Sequence, residues 1–308
     1  MPFVALARFG CDEVLEMGRE RWAAIRSARP DLAPALDLQE RLLTIVVSLM
    51  QTIDQSRLPR LSLPAKYAAA KLGRGVPLLA GEPIPLPVPV LKASLVELCD
   101  ALAAGGAGES AEHIRAAIEG GTMDAGSLLT ASLSRDQGTI RTGAVHRGLA
   151  PDLVWLVAEL AVGPFAYALQ RLLLADPTDK TLMTACDEWN RGYCPACGSW
   201  PALAEFAGGQ RVMRCSFCAA GWDPGTYGCI YCGERAKPFV TAAPDLEKTN
   251  RRVEICATCA GYLKTVDVPE LTPFPLIAIA DLETMDLDLA AMERGYRRPN
   301  LKEFKQGS

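Results

Sequence analysis

Residues 194–197 read CPAC, 215–218 read CSFC, 229–232 read CIYC and 256–259 read CATC. These four C-x-x-C pairs lie within 66 residues, with 17 residues between the first and second pairs and 23 between the third and fourth. Two residues between cysteines let a tight turn aim both sulfurs at one ion. Gly198 and Gly233 directly follow two of the pairs, where a residue without Cβ adopts positive φ freely. Between the first two pairs, Trp200–Phe206, Gly208-Gly209 and Arg211–Cys215 read as a β-hairpin. Between the last two, Lys237–Thr241 and Arg251–Cys256 pair likewise across a loop of about ten residues. Each hairpin brings two pairs together, so the candidate ligands are Cys194, Cys197, Cys215 and Cys218, then Cys229, Cys232, Cys256 and Cys259. Sequential pairing closes the shorter loops. A cross-braced arrangement, first with third and second with fourth, is the competitor, and stacked disulfides are the alternative to metal.

The spacing resembles that of zinc ribbons and rubredoxins. The only histidines, His113 and His146, are remote in sequence, so the sites are all-sulfur. Sulfur tetrahedra suit zinc and iron equally, which leaves two metal ions, iron or zinc, each in a four-cysteine site. Such a site has no open coordination position, which disfavours hydrolysis at the metal. Structure, one-electron redox and presentation of a surface remain. Arg191, Arg211, Arg214, Arg235, Arg251 and Arg252 lie near enough in sequence to offset thiolate charge. Ile230, Tyr231 and Phe217 are expected at exposed tips of the turns.

Outward from the cysteines the texture changes. A chain of 308 residues with 49% apolar and 22% charged residues is globular and long enough for more than one domain. Residues 1–186 read mostly as helix. Leu15, Gly18, Trp22 and Ile25 share a face in 11–29, 38–53 is apolar enough to be buried, and Leu91, Leu95, Leu98 and Leu102 recur at helical spacing. Weaker helices fall at 110–119 and 122–134, and further helices at 151–175 and 178–190, the last with Leu182, Cys186 and Trp189 on one stripe. The prolines at 83, 85, 87 and 89 forbid helix and turn 75–90 into a surface strap. After residue 269 a short helix near 281–292 places Leu282, Met285 and Leu289 together, and the tail from 297 reads as loose. The expected fold class is therefore α+β: a mainly helical domain (1–186), two tandem rubredoxin-like or zinc-ribbon modules (187–225 and 226–268) and a C-terminal segment (269–308).

Net charge is −4, and residues 187–267 carry nine Lys/Arg against nine Asp/Glu. A neutral ribbon region argues against a nucleic-acid footprint. The odd count of 11 cysteines and the absence of a secretory leader argue against a disulfide framework and for the cytoplasm. Leu153–Ala175 is long and apolar, but Glu159, Gln170, Arg171 and Gly163-Pro164 mark it as a core helix rather than a membrane span. Cys186 and Cys99 fit apolar helical faces, Cys11 opens a helix without a partner, His113 reads as a surface residue, and His146 lies in a basic loop. No G-x-S-x-G, P-loop or dinucleotide fingerprint occurs, so no catalytic residue is assigned and an enzyme is not expected.

The runs WNRGYCPACGSWP (189–201), RCSFCAAGW (214–222), CIYCGE (229–234), CATCAGYLKTVD (256–267) and DLETMDLDLAAMERGYRRPN (281–300), with GVPLL at 75–79, resemble the formate dehydrogenase accessory proteins of the FdhE family. The resemblance implies a cytoplasmic maturation factor that binds the catalytic subunit of a molybdenum or tungsten formate dehydrogenase. It also implies rubredoxin-like metal sites built from the eight cysteines. A chaperone-like factor is the leading reading, and a rubredoxin-like iron redox protein acting on the same enzyme is the alternative. A homodimer is compatible with the sequence.

Overall fold

A computed structural model describes residues 3–4, 9–56, 63–174, 179–243 and 250–299. The chain forms two compact units: Phe9–Leu61 with Gly81–Leu169, and Met1–Arg8 with Ser62–Ala80 and Gln170–Ser308. A helical N-terminal part is followed by a sheet region that carries both cysteine groups.

The first of these units is helical: α1 (Cys11–Ala28), α2 (Ala33–Gln55), α4 (Val88–Leu102), α5 (Gly108–Glu119), α6 (Ala125–Leu133), α7 (Gln137–Val145) and α8 (Pro151–Leu174) as far as Leu169. Leu91, Leu95, Leu98 and Leu102 of α4 are all buried, as the four-three-four spacing requires. In α1 the buried stripe is Val14, Gly18 and Trp22, so the expected face centred on Leu15 is rotated by one residue. α8 is long and apolar enough to cross a membrane, yet most of its apolar stretch is buried inside the fold. Residues 141–145 of the expected basic loop instead end helix α7, with His146 as its C-cap in the turn that follows; the N-terminus of α7 is capped by the Asp136 carboxylate accepting from the Thr139 N–H at 3.0 Å.

The other unit is built on one seven-stranded sheet. Its strands are β1 (Phe3–Val4), β2 (Pro201–Ala207), β3 (Gln210–Cys215), β4 (Gly221–Trp222), β5 (Phe239–Ala242), β6 (Arg251–Cys256) and β7 (Gly261–Asp267), in the order β1-β4-β3-β2-β7-β6-β5. Both expected hairpins form, as β2–β3 and β5–β6. The two ribbons are not separate beads, because β2 and β7 pair in parallel through Ala204–Thr265, Glu205–Val266 and Phe206–Asp267.

Helix α3 (Ala65–Gly73), which the sequence did not announce, packs against α9 (Lys180–Asp187). The segment after it is not a surface strap at its start: Leu78 and Leu79 are buried. The expected C-terminal helix is two, α10 (Ile277–Glu283) and α11 (Met285–Met292), with Thr284 between them. Leu287 and Ala291 face Val253 and Tyr262 of the sheet while Leu289 is exposed, so the predicted Leu282–Met285–Leu289 face does not form. The break at Thr284 resets the helical phase. Lys264, fully buried, ties both helices down through Asp281 and Asp288, each at 2.7 Å. Residues 300–308 of the expected loose tail lie outside the described residues.

Candidate metal centres

The two halves of the sheet repeat one plan: C-x-x-C turn, hairpin, C-x-x-C turn, returning strand. In the first half the N–H of Gly198 donates to the Cys194 carbonyl at 2.9 Å, and that of Cys194 to Ser199 at 2.9 Å. In the second half Gly233 donates to Cys229 and Cys229 to Glu234, both at 2.8 Å. The residue after each turn is left-handed: Gly198 (φ 80°), Ala219 (54°), Gly233 (78°) and Ala260 (54°). The glycines were legible as turn residues. The alanines at the matching positions were not, because alanine carries no conformational signature.

The structure brings Cys194, Cys197, Cys215 and Cys218 into one group and Cys229, Cys232, Cys256 and Cys259 into another, with the sulfurs of each within 4.8 Å of one another. This is the sequential arrangement rather than the cross-braced one. Sulfur separations are 3.6 Å for Cys194–Cys218, 3.4 Å for Cys197–Cys215, and 3.6 Å for both Cys229–Cys259 and Cys232–Cys256. A disulfide needs about 2.0 Å, and all eleven cysteines are free. A tetrahedron with metal–sulfur bonds of about 2.3 Å has edges of about 3.8 Å. Either group therefore fits one tetrahedral ion after an adjustment of a few tenths of an ångström. Backbone N–H groups of Phe217 and Cys218 already point at the Cys215 sulfur, both at 3.4 Å.

The two groups differ in environment. All four sulfur residues of the first are buried, whereas Cys232 is exposed and Cys259 half-buried in the second. Burial pushes the Cys194 and Cys218 thiols well above the ordinary range, with neighbouring cysteines adding to the shift. In the second group burial raises Cys229 strongly and takes Cys259 to about 11. Cys256 goes the other way: burial raises it, but the N–H groups of Cys259 and Thr258 and the Cys232 thiol outweigh that and favour its thiolate. Buried thiols that resist ionisation alone become thiolates when a cation compensates them.

The first centre is closed by sequence-distant chain. Leu78 and Leu79 donate backbone hydrogen bonds to the carbonyls of Pro195 and Ala196 at 2.8 and 2.9 Å. Pro77 lies over Gly198. Buried Lys71 caps this strap through the carbonyls of Leu78 (2.9 Å) and Ala80 (2.6 Å). The expected exposed tips are corrected: Phe217 is buried, and Tyr231 is wedged against Trp200 with its hydroxyl donating to the Tyr262 carbonyl at 3.0 Å. Four of the six arginines expected to offset thiolate charge pair with carboxylates instead: Arg211 with Glu254, Arg214 with Glu205, Arg251 with Asp286 and Arg252 with Asp267.

The remaining candidates stay outside both centres. Burial pushes Cys99 and Cys186 each up to about 12, which keeps them protonated and inert. Cys11 is raised by burial and by Asp54 and Asp12, against a reactive thiol. His113 and His146 are exposed.

No family model matches the chain. It is 34% identical to the FdhE homolog of Stutzerimonas stutzeri (strain A1501) over 51% of this chain and 50% of that protein. It is 30% identical to the FdhE homolog of Aquifex aeolicus (strain VF5) over 36% of this chain and 40% of that protein. The matched region thus spans about half the length, or less, of these relatives. The crystal structure of the FdhE protein from Pseudomonas aeruginosa matches over 100% of both chains, with a TM-score of 0.61 at 24% identity, and so shares the fold. On these sequence matches, over a fold that holds two four-cysteine groups, the chain is similar to FdhE proteins across the matched region.

Proposed function

We propose that this protein is an accessory factor for the maturation of formate dehydrogenase. It acts in the cytoplasm on the catalytic subunit of the molybdenum or tungsten enzyme, without catalysis of its own. The modules at 187–225 and 226–268 hold two metal ions, iron or zinc, through the eight cysteines named above. The observation that carries this reading is the pair of cysteine tetrads on one sheet, in a chain similar to FdhE proteins. A bound ion supplies cross-linking of two turns, and redox capacity if it is iron. The chain supplies the frame: hairpins that set sulfur spacing, left-handed residues that close each turn, and a buried ion pair, Arg211 with Glu254, that links the halves.

The exposure of Cys232 favours a second reading, in which the second centre exchanges an electron with the client. Anaerobic affinity purification from formate-grown host cells, with metal analysis, tests both. Recovery of the catalytic subunit with wild type, and its loss with Cys229→Ala/Cys232→Ala, is expected. Absence of the subunit from both, although expressed, would remove the docking role. An iron spectrum that bleaches reversibly with reductant would bring the redox role forward, and a colourless zinc protein would remove it.

A further inference from the structure

Between the approach to the first centre and the first turn of the second lies a cleft of about 380 Å³, walled by Arg191, Tyr193, Trp200, Tyr231, Cys232 and Arg235. Its floor is a backbone contact: a Cβ on Gly192 would sit 1.8 Å from the Ile230 carbonyl oxygen. The wall is rigid. Tyr193 donates its hydroxyl to the Gly75 carbonyl at 2.7 Å and Tyr231 to that of Tyr262 at 3.0 Å, so both phenols are spent inward. Their rings stack edge-to-face on Trp200, with centroids 5.8 and 5.2 Å away.

Arg191 and Arg235 are exposed at this cleft, and among the described residues neither guanidinium has a carboxylate partner. The adjacent carboxylate is already committed: Glu234 accepts from the N–H groups of Arg235 (2.9 Å) and Ala236 (2.8 Å) and from the Thr258 hydroxyl (3.2 Å). Unpaired guanidiniums beside preordered aromatic rings have the composition that dominates binding hot spots. Rings already held in place cost little further entropy when a partner covers them.

We propose that this cleft is the docking site for an acidic segment of the formate dehydrogenase catalytic subunit. One Asp or Glu carboxylate bridges Arg191 and Arg235, and a neighbouring apolar or aromatic side chain lies on Trp200. The proposal rests on the accessory reading above and adds where and by what chemistry the client is held. Charge complementarity carries it: in a chain of net charge −4, arginines at the cysteine modules pair internally at four other positions and stand open at this cleft. The competing role for the same guanidiniums is to offset the thiolate charge of the second centre, and it predicts a different result.

The test uses the full-length, metal-loaded protein and purified formate dehydrogenase catalytic subunit, with affinity measured at low and moderate salt and metal content by mass spectrometry. Arg191→Ala/Arg235→Ala is expected to weaken binding roughly tenfold or more, to flatten the salt dependence and to retain both ions. Arg191→Lys/Arg235→Lys keeps the charge but loses the planar fork, and is expected to bind with intermediate affinity. Lys237→Ala, on the same exposed loop, is expected to bind as wild type. Unchanged affinity in the alanine pair overturns the cleft while leaving the accessory reading standing. If the alanine pair loses metal and the lysine pair binds as wild type, the arginines serve the centre alone and the proposal falls. If wild type itself does not bind the subunit, the accessory reading falls and takes the proposal with it.

Discussion

Arg214 and Glu205 form an ion pair across the β2–β3 hairpin with side-chain exposures of 0% and 1%. Arg214 also donates to the carbonyls of Thr272 (2.7 Å) and Ala219 (3.3 Å), and Glu205 accepts from the Thr272 N–H. One pair therefore links the second cysteine turn, the hairpin and the C-terminal segment. Glu205→Leu strands a buried guanidinium and is expected to cost about 3–5 kcal/mol, whereas Arg214→Met/Glu205→Leu recovers most of it. Denaturant unfolding of both variants decides. A double variant no more stable than the single one would show that the pair supplies net stability beyond mutual compensation.

Gly192 and Ile230 touch backbone to backbone, and no movement of a flexible side chain relieves the 1.8 Å approach of an added Cβ. Gly192→Ala is expected to lower the melting temperature and to loosen the second centre, because the obstructed atom precedes Tyr231 in its first turn. Metal analysis after dialysis checks this, and full retention of both ions would contradict it.

The difference in burial predicts an order of metal loss. A chelator or thiol reagent reaches exposed Cys232 and half-buried Cys259 directly, but reaches the four buried cysteines of the first group only after local opening. Release is expected in two phases of one ion each, and Cys232→Ala is expected to remove the faster one. Single-phase release of both ions would refute the asymmetry.

The left-handed residues can be tested without touching a ligand. An added Cβ at Gly233 meets nothing within 4 Å, so Gly233→Ala isolates backbone strain and is expected to cost about 1–2 kcal/mol. Ala260 stands in the same conformation, so Ala260→Gly is expected to gain about 0.5–1 kcal/mol. Urea midpoints of the two variants should move in opposite directions.

The C-terminal helices predict a pH dependence. Burial raises the Asp281 carboxyl, but Arg298 and Lys264 outweigh it and hold the group below the usual aspartate value. A lowered folded pKa stabilises above the unfolded value of about 3.9 and is lost as pH falls through the lower folded value. The stability gap between wild type and Asp281→Asn should be constant near neutrality and close only in that acid window. A gap that closes near pH 7 would assign it elsewhere.

The sequence by itself determined much of this protein. C-x-x-C spacing specified two sulfur tetrads, the glycine pair at 208–209 specified the first hairpin, and leucine periodicity specified α4. These are local signals, carried by residues whose chemistry or φ preference acts over a few positions. Helices α3 and α7 were missed because short alanine- or glycine-containing runs carry a weak period. Only the tertiary structure decided the rest: that β2 meets β7 and makes one sheet of two ribbons, that Leu78 and Leu79 seal the first centre while Cys232 stays exposed, and that four of six arginines turn to carboxylates while, among the described residues, Arg191 and Arg235 do not. Strand adjacency, burial and ion pairing depend on groups far apart in the chain. Their energies exist only once folding has brought both partners out of water.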